Sequence, residues 1–188
     1  MGHRIFIAIN LPEGVKKELG QAQRKFLELP ARWTKKENLH ITLVFLGNVS
    51  DQELPEICQI VREAAQRNKG FEIKLEKVSF GPLNKKPPRM VWAIGGKSKE
   101  LGKLQRDLEN SLLDSANKAN QTEGKAFSPH ITLARLKTWE TRKLEPEEIP
   151  DVNENINLSF EVESIEIMES FLKKGGPEYI VLESCRLK

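Results

Sequence analysis

The chain spells the same four residues twice: His-Ile-Thr-Leu at positions 40–43 and again at 130–133. It holds only three histidines, and two of them stand in this word, ninety positions apart (130 − 40 = 90). In an extended strand, successive side chains point to opposite faces. His40 and Thr42 therefore share one face while Ile41 and Leu43 take the other, and His130 and Thr132 divide from Ile131 and Leu133 in the same way. Each word asks for a strand that is buried on one side and open on the other. A repeat kept only for packing has no need of its polar half. Two related halves packed about an approximate two-fold axis would turn the polar faces toward each other, with two imidazoles and two hydroxyls around one small volume.

Such a volume has a definite chemistry. Imidazole titrates nearest neutrality, so one ring can remove a proton while the other supplies one. Threonine hydroxyls donate hydrogen bonds, which suits the non-bridging oxygens of an anionic group. No serine, cysteine or carboxylate recurs beside the histidines as a covalent nucleophile. Attack at phosphorus by one oxygen, with departure of another on the far side, uses the two rings directly. Zinc would compete for them, but it takes three or four ligands. The remaining imidazole, His3, lies near the N-terminus and reads as a surface residue. The expectation is a site without metal or cofactor.

Five residues past each histidine stand Phe45 and Arg135. Strict alternation sends both to the core face, which is odd for an arginine. A bulge in the strand, or a position at its end, would bring Arg135 round to the open face. There it could meet phosphate; its bland alternative is a surface salt bridge. Phe45 could stack on a base or fill the core, and Phe127, three residues before His130, poses the same choice.

Around the two words, strands and helices alternate. Arg4–Ile9 reads as a buried strand, and Pro12 opens a helix whose stripe is Val15, Leu19, Ala22, Phe26 and Leu29. A strand at 39–46, closed by Gly47, leads to Ser-Asp-Gln-Glu at 50–53, a capping box before a second helix. Strands follow at 71–80 and 90–96, then a leucine-striped helix at 99–119, a loop, and the second word. Residues 155–168 and 178–187 read as two closing strands joined across Gly175 and Gly176. The expected architecture is α+β: one bilobal domain over 1–188, with approximate lobes 1–96 and 97–188 and room for strands to cross between them.

With "HITLVFLG" and "FSPHITLARL", the chain resembles the paired His-x-Thr-x motifs of the 2H phosphoesterase superfamily. "RIFIAINLPEGVKKEL", "RWTKKENLHITLVFLGNVS" and "PPRMVWAIGG" narrow the resemblance to its RNA 2′,3′-cyclic phosphodiesterase branch, the 2′-5′ RNA ligase-like proteins. The resemblance implies antiparallel sheets flanking a central cleft, with helices outside. It implies metal-independent hydrolysis of RNA 2′,3′-cyclic phosphate ends to 2′-phosphates, with RNA, tRNA halves included, as the partner. The alternatives are a 2′-5′ ligase joining tRNA halves, and a module that holds RNA ends without turnover. Carried onto this chain, His40 is the general acid protonating O3′ and His130 the general base activating water, an assignment the symmetry leaves reversible. Thr42 and Thr132 bind phosphate oxygens, and the "HITLxR" pattern favours a phosphate-contacting Arg135.

Composition adds limits. Thirty basic against twenty-seven acidic side chains give a net charge of +3, compatible with an anionic substrate without marking a nucleic-acid binder. Cys58 and Cys185 fall in no metal or redox spacing. No apolar run approaches the ~20 residues that cross a bilayer. A soluble, cytoplasmic monomer that binds no membrane is expected.

Overall fold

In the computed structural model, residues 2–82, 87–114, 127–141, 143 and 148–188 are described. Nine strands are present among them: β1 (Gly2–Asn10), β2 (Ala31–Trp33), β3 (His40–Ser50), β4 (Phe71–Gly81), β5 (Met90–Ile94), β6 (Ile131–Leu136), β7 (Asn153–Val162), β8 (Ser164–Lys173) and β9 (Gly176–Arg186). The helices are α1 (Glu13–Arg24), α2 (Leu54–Arg67), α3 (Lys99–Asp114) and the short α4 (Thr138–Thr141). The class is α+β, as expected. Every strand pairing is antiparallel, in the order β7-β4-β5-β6-β3-β1-β8-β9, with β2 set against β6.

One register pair, Ile41 opposite Ile131, joins β3 to β6. The sheet is therefore two wings that meet at the two repeated words. One wing is β3-β1-β8-β9; the other is β2, β6, β5, β4 and β7. Strands from residues 1–96 and 97–188 contribute to both wings. The chain passes from β7, on the outer edge of one wing, to β8, inside the other, through Glu163 alone.

Helices cover the outer faces. α2 packs on α3, β8 and β9, α3 reaches β3, and α1 lies against β7. The spacing that marks each apolar stripe is what the fold buries: Val15 and Leu19 on α1, Ile57, Val61 and Ala64 on α2, and Leu101, Leu104, Leu108 and Leu112 on α3. They share one continuous core with Ile41, Leu43, Ile131 and Leu133. Burying each such side chain contributes roughly 1.5–3 kcal/mol before the entropy of ordering it. A second, small cluster of Phe6, Ala8 and Met168, with Tyr179 against it, lies on the opposite face of the β1 wing.

Several boundaries differ from the sequence reading. α1 ends at Arg24, so Phe26 and Leu29 pack from the turns that follow. The capping-box bonds form, from Ser50 N to Glu53 Oε2 at 2.7 Å and from Glu53 N to Ser50 Oγ at 3.3 Å, but they close the turn before α2. β3 runs on through Gly47 to Ser50, because Gly47 at φ 76° sits in a bulge rather than a terminus. The stretch read as one strand at 155–168 breaks at Glu163 into β7 and β8. β2 and a 3-10 turn at Lys36–Asn38 carry no apolar period and were not expected. The tail of the third helix at 115–119 falls outside the described residues.

Candidate active site

The antiparallel pairing of Ile41 with Ile131 fixes the site. One step along the register, His40 comes opposite Thr132 and Thr42 opposite His130. Ile41 and Ile131 are 1% and 0% exposed, so the polar residues flanking them are turned to the other side. The two repeated words thus form one four-residue constellation between the wings.

The same local device holds each ring. His40 Nδ1 lies 2.8 Å from the Asn38 carbonyl, and His130 Nδ1 lies 2.8 Å from the Ser128 carbonyl. A carbonyl only accepts, so Nδ1 carries the proton in both rings and the neutral form leaves Nε2 as a base. His40 Nε2 takes a hydrogen bond from the Thr42 hydroxyl at 3.0 Å. Burial pushes both imidazoles below their ordinary value, because the charged form is poorly solvated. For His40, the positive charges of His130 and Lys16 add to the effect; for His130, Arg135 does. Lys16 is itself 5% exposed, with Glu13 Oε1 4.0 Å away.

A matched pair of bulges settles the direction of the residues five positions on. From Ala8–Thr42 to Ile7–Val44, β1 advances one residue while β3 advances two. From Trp92–Thr132 to Val91–Ala134, β5 advances one residue while β6 advances two. In each word the extra residue sends two consecutive side chains, Leu43 with Val44 and Leu133 with Ala134, into the core. Alternation then resumes one step late, and Phe45 and Arg135 emerge on the open face beside the histidines. Phe45 is 56% exposed and pairs with Phe6 at a ring distance of 6.0 Å. Arg135 pairs in register with Met90, its Nη1 3.6 Å from the sulfur. The bulged Leu133 carbonyl receives both the Thr34 N–H at 2.8 Å and the Gln23 side-chain amide at 2.9 Å. Phe127 is half-buried and packs against the main core.

Residues from distant strands complete the walls. Trp92, 7% exposed, stacks on His130 with centroids 3.8 Å apart and planes 22° apart. Gly81 makes room for that indole, since a Cβ there would meet the Trp92 ring at 2.1 Å. His40 is bounded by Phe6 at 5.1 Å and, edge-on, by Tyr179 at 5.2 Å. Pairing across strands, not spacing along the chain, brings Phe6, Trp92, Gln23 and Tyr179 here; the sequence placed each on its strand or helix but not beside the histidines. Among the described residues, no group of three or more His, Cys, Asp or Glu side chains could hold a metal ion.

Comparison with known proteins accords with this geometry. The family described as LigT like Phosphoesterase matches residues 9–92 and again 95–179, one match around each repeated word. The chain belongs to this family. It is 33% identical to an RNA 2′,3′-cyclic phosphodiesterase of Thermus thermophilus, covering 98% of this chain and 90% of that protein. The protein of the same name from Thermotoga maritima is 32% identical over 98% of this chain and 96% of its own length. The crystal structure of Escherichia coli LigT complexed with 3′-AMP superposes with a TM-score of 0.80 at 25% identity, covering 100% of this chain and 99% of that one. Like the phosphoesterase fold it matches, this chain contains a large antiparallel sheet and few helices.

Proposed function

We propose that this phosphoesterase hydrolyses 2′,3′-cyclic phosphate ends of RNA, the activity its relatives are named for, and that the product is a 2′-phosphomonoester. The observation that carries the reading is the pair of imidazoles, each tethered through Nδ1 to a carbonyl two residues back, with both Nε2 atoms on the open side of one strand junction. His130 takes a proton from water as the water attacks phosphorus. His40, protonated, gives its proton to O3′ as the P–O3′ bond breaks. Thr42 and Thr132 hold the non-bridging oxygens, Arg135 neutralises charge that develops on them, and Phe45 offers a face to the terminal base. Two proton carriers and these donors suffice for the step, so no metal is required.

The reading treats the chain as a single bilobal domain acting as a cytoplasmic monomer on RNA ends, tRNA halves among them. Its test is an oligonucleotide ending in a 2′,3′-cyclic phosphate, with the product mapped. A 2′-phosphate in the presence of chelator is expected. A 3′-phosphate would reverse the bond cleaved, a joined strand would mark the ligase reaction, and loss of turnover in chelator would restore a metal.

A further inference from the structure

Beyond the reacting phosphate, the β1 wall carries a graded series of side chains. Ala8 stands opposite Thr42; two residues out, Phe6 faces Phe45; two further out, Arg4 faces Asn48. β1 is regular against β8 from Ile5 to Ala8, and alternation carried one pair further along the strand puts Arg4 on the face of Phe6 and Ala8. Tyr179 leans over the middle of the series, its ring 5.0 Å from Phe6 and 5.2 Å from His40. The sequence of chemistries leading away from the catalytic pair is therefore phosphate site, aromatic platform, cation. Arg4 is exposed and, among the described residues, has no carboxylate partner; Asn48 beside it is also exposed. The Tyr179 hydroxyl likewise bonds to none of the described residues, and the charges of Arg4 and Arg135 both bear on it. A cation on a strand surface that forms no ion pair, set beyond aromatic faces, is the pattern by which proteins follow a single-stranded backbone.

We infer that Arg4, with Asn48 beside it, binds the phosphodiester on the 5′ side of the terminal nucleotide, while the exposed Phe45 and the half-buried Tyr179, both backed by the buried Phe6, flank the nucleoside between. The site is thereby selective for polynucleotide ends over free nucleoside 2′,3′-cyclic phosphates. The inference rests on the cyclic phosphodiesterase reading and names its substrate class. Arg4 lies about 14 Å along the strand from Ala8, at about 3.4 Å per residue. No bond to the reacting phosphorus is assigned to it.

The test compares kcat/KM for a dinucleotide and for a mononucleoside, both ending in a 2′,3′-cyclic phosphate, in the native protein and in Arg4→Met. The native protein should favour the dinucleotide, and Arg4→Met should cut that preference about tenfold, the scale of a lost charge-assisted hydrogen bond. A dinucleotide whose internal linkage is an uncharged methylphosphonate should lose the same factor with the native protein and nothing more with Arg4→Met. Arg4→Lys should keep part of the preference. An unchanged preference in Arg4→Met, or a methylphosphonate penalty equal in both proteins, overturns the inference and leaves the hydrolase reading standing. Failure of the native protein to turn over either substrate overturns the hydrolase reading, and the inference with it.

Discussion

β3 and β6 carry the same word, the same Nδ1 tether and the same bulge, yet their surroundings differ. His130 lies flat on Trp92, while His40 meets Phe6 at a tilt of 40° and Tyr179 edge-on at 87°. After the bulge, one strand turns out a phenyl ring and the other a guanidinium. Across from Thr42 stands Ala8, and across from Thr132 stands Trp92. What the two halves share is the strand geometry that aims a ring and a hydroxyl. What they do not share is everything that makes one ring chemically distinct from the other. The repeat supplies two equivalent groups, and their unequal neighbours are what the proposed mechanism needs if one ring is to act as acid and the other as base.

The most severe way to break this comparison is to remove the rings. His40→Ala and His130→Ala should each lower single-turnover hydrolysis by about 10²-fold or more, the usual scale of general acid–base catalysis. Full activity in either variant would mean that only one half is chemical. Next comes the stack. Trp92→Ala should cost about 3–5 kcal/mol in urea unfolding, as large buried aromatics do, and Gly81→Ala, which drives a methyl into the indole, about 1–3 kcal/mol. Gly81→Ala should slow the reaction by disturbing His130; an unaffected rate would show that the stack is packing alone. A smaller effect is expected from Gln23→Ala, which strips one donor from the bulged Leu133 carbonyl at about 1 kcal/mol. A rise in KM without a matching loss of stability would show that the bulge aims Arg135.

The pH dependence sharpens the comparison further. Burial lowers both rings, so the bell of kcat/KM against pH should peak on the acid side of the ordinary histidine value of 6.5. For these two rings the unfolded chain takes up protons first, so stability should decline as pH falls through 6.5. His3 acts in the opposite direction. Asp51 at 2.7 Å and Glu169 at 2.8 Å raise it, so its contribution is whole below 6.5 and fades as pH climbs through the folded value. His3→Gln should flatten the alkaline side of a urea-midpoint profile slightly, and an unchanged slope there would remove that clamp.

The parts of the molecule visible in the sequence were those with a period. The helical stripes, the alternating strands and the repeated word are local, and the chain displays them directly. The destination of Arg135 was an open choice, because the two-residue advance that re-aims it exists only against β5. Phe127 was likewise an open choice, and its contact with the main core depends on partners that its distance from His130 along the chain does not reveal. The break at Glu163 was hidden because residues on both sides favour extended backbone, and only their partners, β4 on one side and β1 on the other, tell β7 from β8. Phe6 and Tyr179 lie 173 positions apart (179 − 6) and meet through the sheet.

That single-residue passage at Glu163 has a mechanical consequence. The halves are fastened to each other at Ile41–Ile131 and again where β7 becomes β8, so they cannot gape like a hinge pinned at one end. Under the proposed mechanism, a junction pinned twice would present both imidazoles in one register before any ligand arrives.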